Sequence, residues 1–295
     1  HIILKSKIIM SIKKTIPWWG KIITKIVLSR LPIQYSFWKK LGVFEHGYMN
    51  CPSYAYEVFK EHFDRVGGLE QGFVSLELGP GDSLLSAMLS QAFGGSTSYL
   101  VDVGAFASRD LQIYRNMSSF LKEKGLPTAD IGSCNSLEDV LVACGANYYT
   151  SGLLSLRYIP DESVDFIWSG AVLEHIKRAE FLDTMQELRR IVRSNGICSH
   201  LVDLRDHLGG ALNHLRFSEQ VWESDFMARS GFYTNRIHYS EMLELFRKAG
   251  FSVNVVEVNR WDNLPTPRSK LFKNFQSIPD TELCLSTFAV VLKPI

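Results

Sequence analysis

The stretch Phe73-Val74-Ser75-Leu76-Glu77-Leu78-Gly79-Pro80-Gly81-Asp82-Ser83 decides how this chain is read. A short apolar run, Phe73 to Leu78, has the length of a buried strand, and a helix pattern from Leu84 to Gln91 follows the turn. Glycines at 79 and 81 let the backbone turn tightly and come close to a ligand. The free N–H groups at the start of the helix favour an anionic or polar ligand. A dinucleotide site would want a third glycine, but Leu84 holds that position, which disfavours a nicotinamide dehydrogenase.

Outward from this turn the pattern alternates. Strands are expected at Ser98 to Val103, Ala146 to Thr150, Val164 to Trp168, Ile197 to Asp203, Ser252 to Val258 and Cys284 to Leu292. Helices are expected at Ser53 to Val66, Ser108 to Lys124, 133–145, Ala179 to Val192 and Ser240 to Ala249. Such alternation implies an α/β fold, a mostly parallel Rossmann-like sheet with helices on both faces. No clear helix separates the last two strands, so an antiparallel last strand is expected. Asp102 closes the second strand, 21 positions after Gly81. An acid there is placed to accept hydrogen bonds from a ribose diol.

The chain has 295 residues, 46% of them hydrophobic, and a net charge of +1. A near-neutral balance argues against a dedicated nucleic-acid binder. Nine of its 32 Lys and Arg, but none of its 31 Asp and Glu, fall in residues 1–40, so the rest is net negative. Residues 15–31 read as an amphipathic helix opened by Thr15 and Pro17 and stopped by Pro32. Trp18, Trp19 and the flanking lysines suit a membrane interface, and a peripheral membrane contact through residues 10–31 is one expectation. Packing of its apolar face on the main domain is the other. No run reaches the length of a membrane span. Met10 offers a natural start, with residues 1–9 either outside the native chain or an extended start. Five scattered cysteines without a C-x-x-C pattern argue for reduced thiols in the cytoplasm and against a structural zinc site. Two units are expected: a basic, aromatic helical extension over 1–68 and a main domain over 69–295. Within the latter, 204–238 and 259–283 would form acceptor-side lid segments.

These motifs together resemble the class I S-adenosylmethionine-dependent methyltransferases, type 11-like, over roughly residues 70–292. The acid-x-Gly-x-Gly motif is matched by Glu77, Gly79 and Gly81, and the ribose-binding acid by Asp102. The segment after the fourth strand is similar to Pro160 through Ile176, with Ser169-Gly170 at its centre and Leu173-Glu174-His175-Ile176 at its end. The helix before the fifth strand is similar to Glu187 through Arg193 followed by Asn195-Gly196. The resemblance implies a seven-stranded fold and S-adenosylmethionine as cofactor, with S-adenosylhomocysteine as product. It places cofactor contacts at Glu77, Gly79, Pro80, Gly81, Ser83, Asp102, Val103, Ser169, Gly170 and His175. Ser83 departs from the glycine frequent in that place. The acid that often contacts the adenine amino group falls near Ser151-Gly152, where backbone groups would substitute.

Methyl transfer from a sulfonium is an in-line displacement, so the protein supplies alignment and a destination for the acceptor's proton. A hydroxyl acceptor needs a general base. Candidates cluster after the fifth strand: Asp203, Asp206 and His207, with His207 as base and an adjacent acid orienting it. The plainer alternative is that His207 only bonds its loop. His200, His207 and His214 recur every seven residues, but one lies in a strand and two in a loop, so no metal is expected. No Asn-Pro-Pro-Tyr type turn follows the fourth strand. The leading expectation is O-methylation of a sugar, glycan or other small hydroxyl acceptor, and the chain also resembles bacterial glycan-modifying members of the family. The alternatives are N-methylation of a small amine or amino-sugar, and a catalytically silent subunit that binds the cofactor or a partner. Nucleic acid is not expected as a partner.

Overall fold

The computed structural model describes Trp19, Gly20 and residues 48–295. The basic segment 15–31 and its membrane contact lie, apart from Trp19 and Gly20, outside the described residues. No helix among the described residues is long and apolar enough to cross a membrane.

The described chain opens with α1 (Pro52–Arg65), which has proline in its first turn, where no backbone donor is required. Then come β1 (Val74–Leu78), α2 (Leu85–Ala92), β2 (Thr97–Val101), α3 (Leu111–Glu123), α4 (Leu137–Ala143) and β3 (Ala146–Tyr149). Strand β4 (Val164–Gly170) leads through a single 3-10 turn, Leu173–His175, to α5 (Arg178–Ile191) and β5 (Val192–Asp203). The chain ends its regular structure with α6 (Tyr239–Lys248), β6 (Phe251–Arg260) and β7 (Leu285–Pro294). Local chemistry sets several boundaries. Asp110 accepts the Gln112 N–H at the start of α3, and Ser136 with Asp139 forms a reciprocal capping box on α4.

The strands form one sheet in the order β3-β2-β1-β4-β5-β7-β6. The first five are parallel, and β7 runs antiparallel to both β5 and β6. This is the Rossmann-like, mostly parallel sheet with an antiparallel last strand expected from the sequence. Strand β7 lies between β5 and β6, so β6 takes the edge. Its burial alternates and is mostly exposed, as suits an edge strand with one wet face. Strand β5 starts five residues before the expected Ile197. The reason is Val192, which leaves α5 in an extended conformation and pairs at once with Val164.

Two cores sandwich the sheet. On one face α5 and α6 press Phe181, Met185, Leu188 and Phe246 onto Leu76, Ile167 and Phe288. On the other, Met88, Tyr114, Leu121 and Val140 from α2, α3 and α4 join Phe166 and Trp168. Helix α1, counted from sequence with the N-terminal extension, shares this second core through Ala55 and Phe59. The Phe59 ring meets Trp168 edge to face at 5.7 Å, an arrangement that aromatic pairs favour. His62 of the same helix is buried with its Nδ1 2.8 Å from the Ser199 hydroxyl. His200 is likewise buried, its Nδ1 2.7 Å from Ser169 Oγ. Segments 204–238 and 259–283, expected from sequence to form a lid, have small cores of their own. Leu208, Trp222, Met227, Phe232 and Tyr233 form one. Leu212 and Leu215 pack with Leu271 and Leu283 in another, joining one insertion to the other.

Candidate functional site

The carboxyl ends of β1, β2 and β4 open onto one crevice. Its floor is the loop Gly79-Pro80-Gly81. Gly79 has φ +68°, and a Cβ there would fall 2.6 Å from a methyl of Val172. Both the backbone and the close approach therefore require glycine. Its N–H donates to the Val101 carbonyl at 2.8 Å, which ties the loop to β2. Gly81 has φ +65°, and a Cβ would meet nothing nearer than the Gly79 carbonyl oxygen at 4.0 Å. The space above it is open.

Asp102 stands beside this opening. Its Oδ2 accepts the Gly81 N–H at 3.0 Å and its Oδ1 the Val103 N–H at 2.7 Å. Carboxylate oxygens have further lone pairs, so the same group can take a ribose diol. Next to it Val103 is an exposed apolar side chain, 77% accessible, and Leu154, two residues after Gly152, is exposed as well; both are of a type suited to the faces of an adenine ring. Ser151 and Gly152 follow β3 as the sequence suggested, and the Gly152 N–H donates to the Asp102 carbonyl at 2.8 Å. An open cradle, a diol acceptor and apolar flanks fit an adenosine.

Other expected contacts turn elsewhere. Glu77 is buried, and its carboxyl accepts from the Ser86 hydroxyl. Burial pushes it up to about 8, eased by Ser86 and reinforced by Asp102. It supports the loop from beneath. Pro80 is buried in the loop. Ser83 donates to the Met49 carbonyl and so anchors the chain before α1. Ser169 is fully buried against His200, and only Gly170 is exposed at the tip of β4. His175 faces the lid: its Nδ1 lies 2.8 Å from the Tyr233 carbonyl and its Nε2 3.0 Å from His207 Nε2.

The acids expected to orient His207 are committed to other partners. Asp206 is buried and accepts from the amides of Leu208, Gly209, Gly210 and Asn213 and from the Asn213 side chain. Burial raises its carboxyl, but the Asn213 amide, His214 and the other donors leave it below the usual range. It organises the loop. Replacing Asp206 by Ala leaves that buried set without an acceptor and should cost about 3–5 kcal/mol of stability, read as a shifted urea midpoint. Asp203 accepts from Arg205 Nε and Nη2, both at 2.8 Å. What meets His207 is His175, with ring centroids 4.7 Å apart. The seven-residue histidine series does not assemble either, because His200 bonds Ser169 under the sheet while His214 packs at 6.1 Å from Trp222.

Glu174, unmarked by the sequence reading, lies at the centre of this side. It is 2% exposed, and neither carboxylate oxygen has a hydrogen-bond partner. Burial drives its carboxyl well above the carboxylate range; the amides of Glu174 and Asp203, near its oxygens but outside hydrogen-bond geometry, only partly offset this, and the Asp203 charge adds to it. The lid is stitched to the turn that carries it. The Asn235 N–H donates to the Glu174 carbonyl at 2.7 Å, and Asn235 Nδ2 to those of Leu173 and Ile176, both at 2.9 Å. A small cleft of about 30 Å³, open to solvent, is lined by Glu174, Asp203, His214, Thr234, Arg236 and His238 among others. Around it, His214 Nδ1, Thr234 Oγ1 and Arg236 Nε are buried without partners, as are both Glu174 oxygens. Arg236 also holds φ +55°, a strained value for a residue with a side chain. The signal in the sequence was an acid next to a histidine on one turn, with another histidine after the following strand.

Residues 134–199 match the family described as a methyltransferase domain. No curated protein matches the chain. Among solved structures, the chain is similar to the YcgJ protein of Bacillus subtilis (15% identity, 78% of this chain and 96% of that one, TM-score 0.42). It is also similar to an S-adenosylmethionine-dependent methyltransferase of Mesorhizobium loti (13% identity, 77% and 94%, TM-score 0.42). A third is the phosphoethanolamine N-methyltransferase 2 of Haemonchus contortus, solved with phosphomonomethylethanolamine and S-adenosylhomocysteine (14% identity, 81% and 53%, TM-score 0.44).

Proposed function

We infer that this chain is a class I S-adenosylmethionine-dependent methyltransferase, a reading supported by its sheet order and its match over residues 134–199, and that the methyl group goes to a hydroxyl of a small polar acceptor of the sugar type. One observation carries this reading. Five buried polar atoms without partners surround a single cleft: both oxygens of Glu174, His214 Nδ1, Thr234 Oγ1 and Arg236 Nε. Each such atom costs about 1–3 kcal/mol when left unpaired, and native interiors hold few of them. Their concentration in one place points to an occupant rich in donors and acceptors. Sugar hydroxyls offer both, and the buried Arg236, pushed down to about 10 by burial yet still charged at neutral pH, suits a carboxylate or phosphate on the same acceptor.

The cofactor supplies the methyl group as a sulfonium. Gly79, Gly81 and Asp102 hold its adenosine end, and Val103 with Leu154 covers the ring. The turn bearing Glu174 and His175 starts at Val172, which touches Gly79, so the acceptor cleft adjoins the cofactor loop. His175 and His207 receive the acceptor's hydroxyl at this border. An acceptor amine is the second reading, favoured by Glu174, whose carboxyl would ionise beside an ammonium.

Calorimetry with S-adenosylhomocysteine tests the cofactor half. The wild type should bind, and Asp102→Ala should bind about 10–100-fold more weakly, the equivalent of the ~1.5–3 kcal/mol of charged hydrogen bonds. Equal affinities would reject the assigned role of Asp102. The acceptor half is tested with carbon-13 methyl-labelled S-adenosylmethionine and a panel of neutral sugars, uronic acids, sugar phosphates and amino-sugars. A methyl ether resonance is expected; label only on nitrogen would overturn the hydroxyl assignment.

A further inference from the structure

We propose that Glu174, His175 and His207 form a binding site for a first-row divalent transition cation of the zinc or cobalt type. This rests on the acceptor reading above and deepens it, because the site lies where the acceptor's oxygen is received.

The ligand atoms are already gathered. One atom from each of the three side chains lies within 4.8 Å of the other two. The two Nε2 atoms are 3.0 Å apart. Two nitrogens bound side by side to one cation at about 2.0–2.1 Å stand roughly 3 Å from each other. Without a cation, a single proton must lie between these two nitrogens, since two facing lone pairs repel. The His175 Nδ1 is 2.8 Å from the Tyr233 carbonyl, which accepts its proton and leaves the Nε2 lone pair facing the cluster. A backbone carbonyl on the far nitrogen is the usual support of a metal-bound histidine.

Glu174 supplies the third ligand. A buried carboxylate with neither oxygen paired is costly, and a cation beside two imidazoles would satisfy it. Its position is fixed by the lid through Asn235 and Glu174's own carbonyl. Two imidazole nitrogens with one carboxylate suit zinc, cobalt or iron better than magnesium or calcium, which want oxygen ligands throughout. Three protein ligands leave a coordination position open. The acceptor's hydroxyl oxygen would take it and release its proton to solvent more readily. As its O–CH₃ bond forms, the S–CH₃ bond of the cofactor breaks and the electron pair stays on sulfur.

The test uses the whole chain, stripped with a chelator and passed into metal-free buffer. Calorimetry with zinc chloride should show one equivalent bound, magnesium chloride no comparable binding, and cobalt chloride a visible absorption band of a low-coordinate nitrogen and oxygen site. His207→Ala, at a half-buried position, should weaken zinc binding by at least about 100-fold, the upper end of what losing even an outer-shell partner costs. Glu174→Gln, checked for folding by circular dichroism, should do the same. No zinc binding at millimolar concentration, or equal binding by wild type and His207→Ala, would overturn the site. S-adenosylhomocysteine calorimetry on the same samples separates the two inferences. Cofactor binding without zinc binding defeats only the metal site. Zinc binding without cofactor binding defeats the methyltransferase reading beneath it.

Discussion

Gly79→Ala is expected to lose S-adenosylhomocysteine binding and to lower stability by about 2–5 kcal/mol. Two costs add. A left-handed backbone at φ +68° penalises any side chain by about 1–2 kcal/mol. The new methyl would also stand 2.6 and 2.8 Å from the two γ-methyls of Val172, and overpacking of this kind costs about 1–3 kcal/mol. Relief by moving Val172 would shift the turn that carries Glu174 and His175, so the damage reaches the acceptor side as well. The double variant Gly79→Ala/Val172→Ala should recover the packing part but not the backbone part. Gly81→Ala, with φ +65° and open space around it, should show the backbone cost alone in stability. Urea midpoints and cofactor calorimetry read all three. A Gly79→Ala protein with wild-type midpoint and affinity would remove the loop from the site.

Acid should unfold the protein steeply, and in a particular window. His62, His200 and His214 are each pushed down to about 3, chiefly by burial; an unfolded histidine titrates near 6.5. Their contribution is whole above about pH 6.5 and is lost as pH falls toward 3, because the unfolded chain binds the protons first. Glu77 and Glu174 act in the opposite sense. Burial raises both, so their contribution is whole below about pH 4.5 and is lost as pH rises through the raised values. Between about 4.5 and 6.5 the two sets oppose each other, and the one histidine in excess lowers stability by about 1.4 kcal/mol per pH unit as pH falls. Below about 4.5 Glu77 and Glu174 are protonated in both states; Asp206, held below the usual range, begins to lose its contribution too, beside the histidines. Each histidine then removes about 1.4 kcal/mol per pH unit, and three together about 4. Urea midpoints at pH 7 and 5.5 should be nearly level, that at 4.5 somewhat lower, and that at 3.5 far lower. His200→Gln should flatten the acid limb by roughly a third. A midpoint maintained to pH 3.5 would show that these histidines are not held neutral.

The sheet was legible because its signals are local. The Phe73–Leu78 run, the glycine turn and Asp102 mark β1, the loop and β2 by residue type alone, and each appears where expected. The helices were legible from apolar spacing, as with Phe181, Met185 and Leu188 on α5. What escaped were pairings across long sequence separations. Nothing near Asp206 says that its carboxylate will close a loop back to Asn213 instead of orienting His207. Ser169 looks like a crevice residue until His200, one strand over, claims its hydroxyl. Glu174 is unremarkable in a turn until burial removes its water and the lid, arriving 60 residues later through Asn235, fixes it beside two imidazoles. Position 192 misled for a smaller reason: a β-branched residue at a helix end can finish the helix or begin the strand, and here Val164 decides it.

The separate small cores of segments 204–238 and 259–283 limit how far a local change can spread. Trp222, Phe232 and Tyr233 pack largely among themselves, and Leu212 and Leu215 pack with Leu271 and Leu283, so neither cluster draws on the layers that flank the sheet. A substitution inside either cluster should therefore stay local and leave the packing around the strands intact.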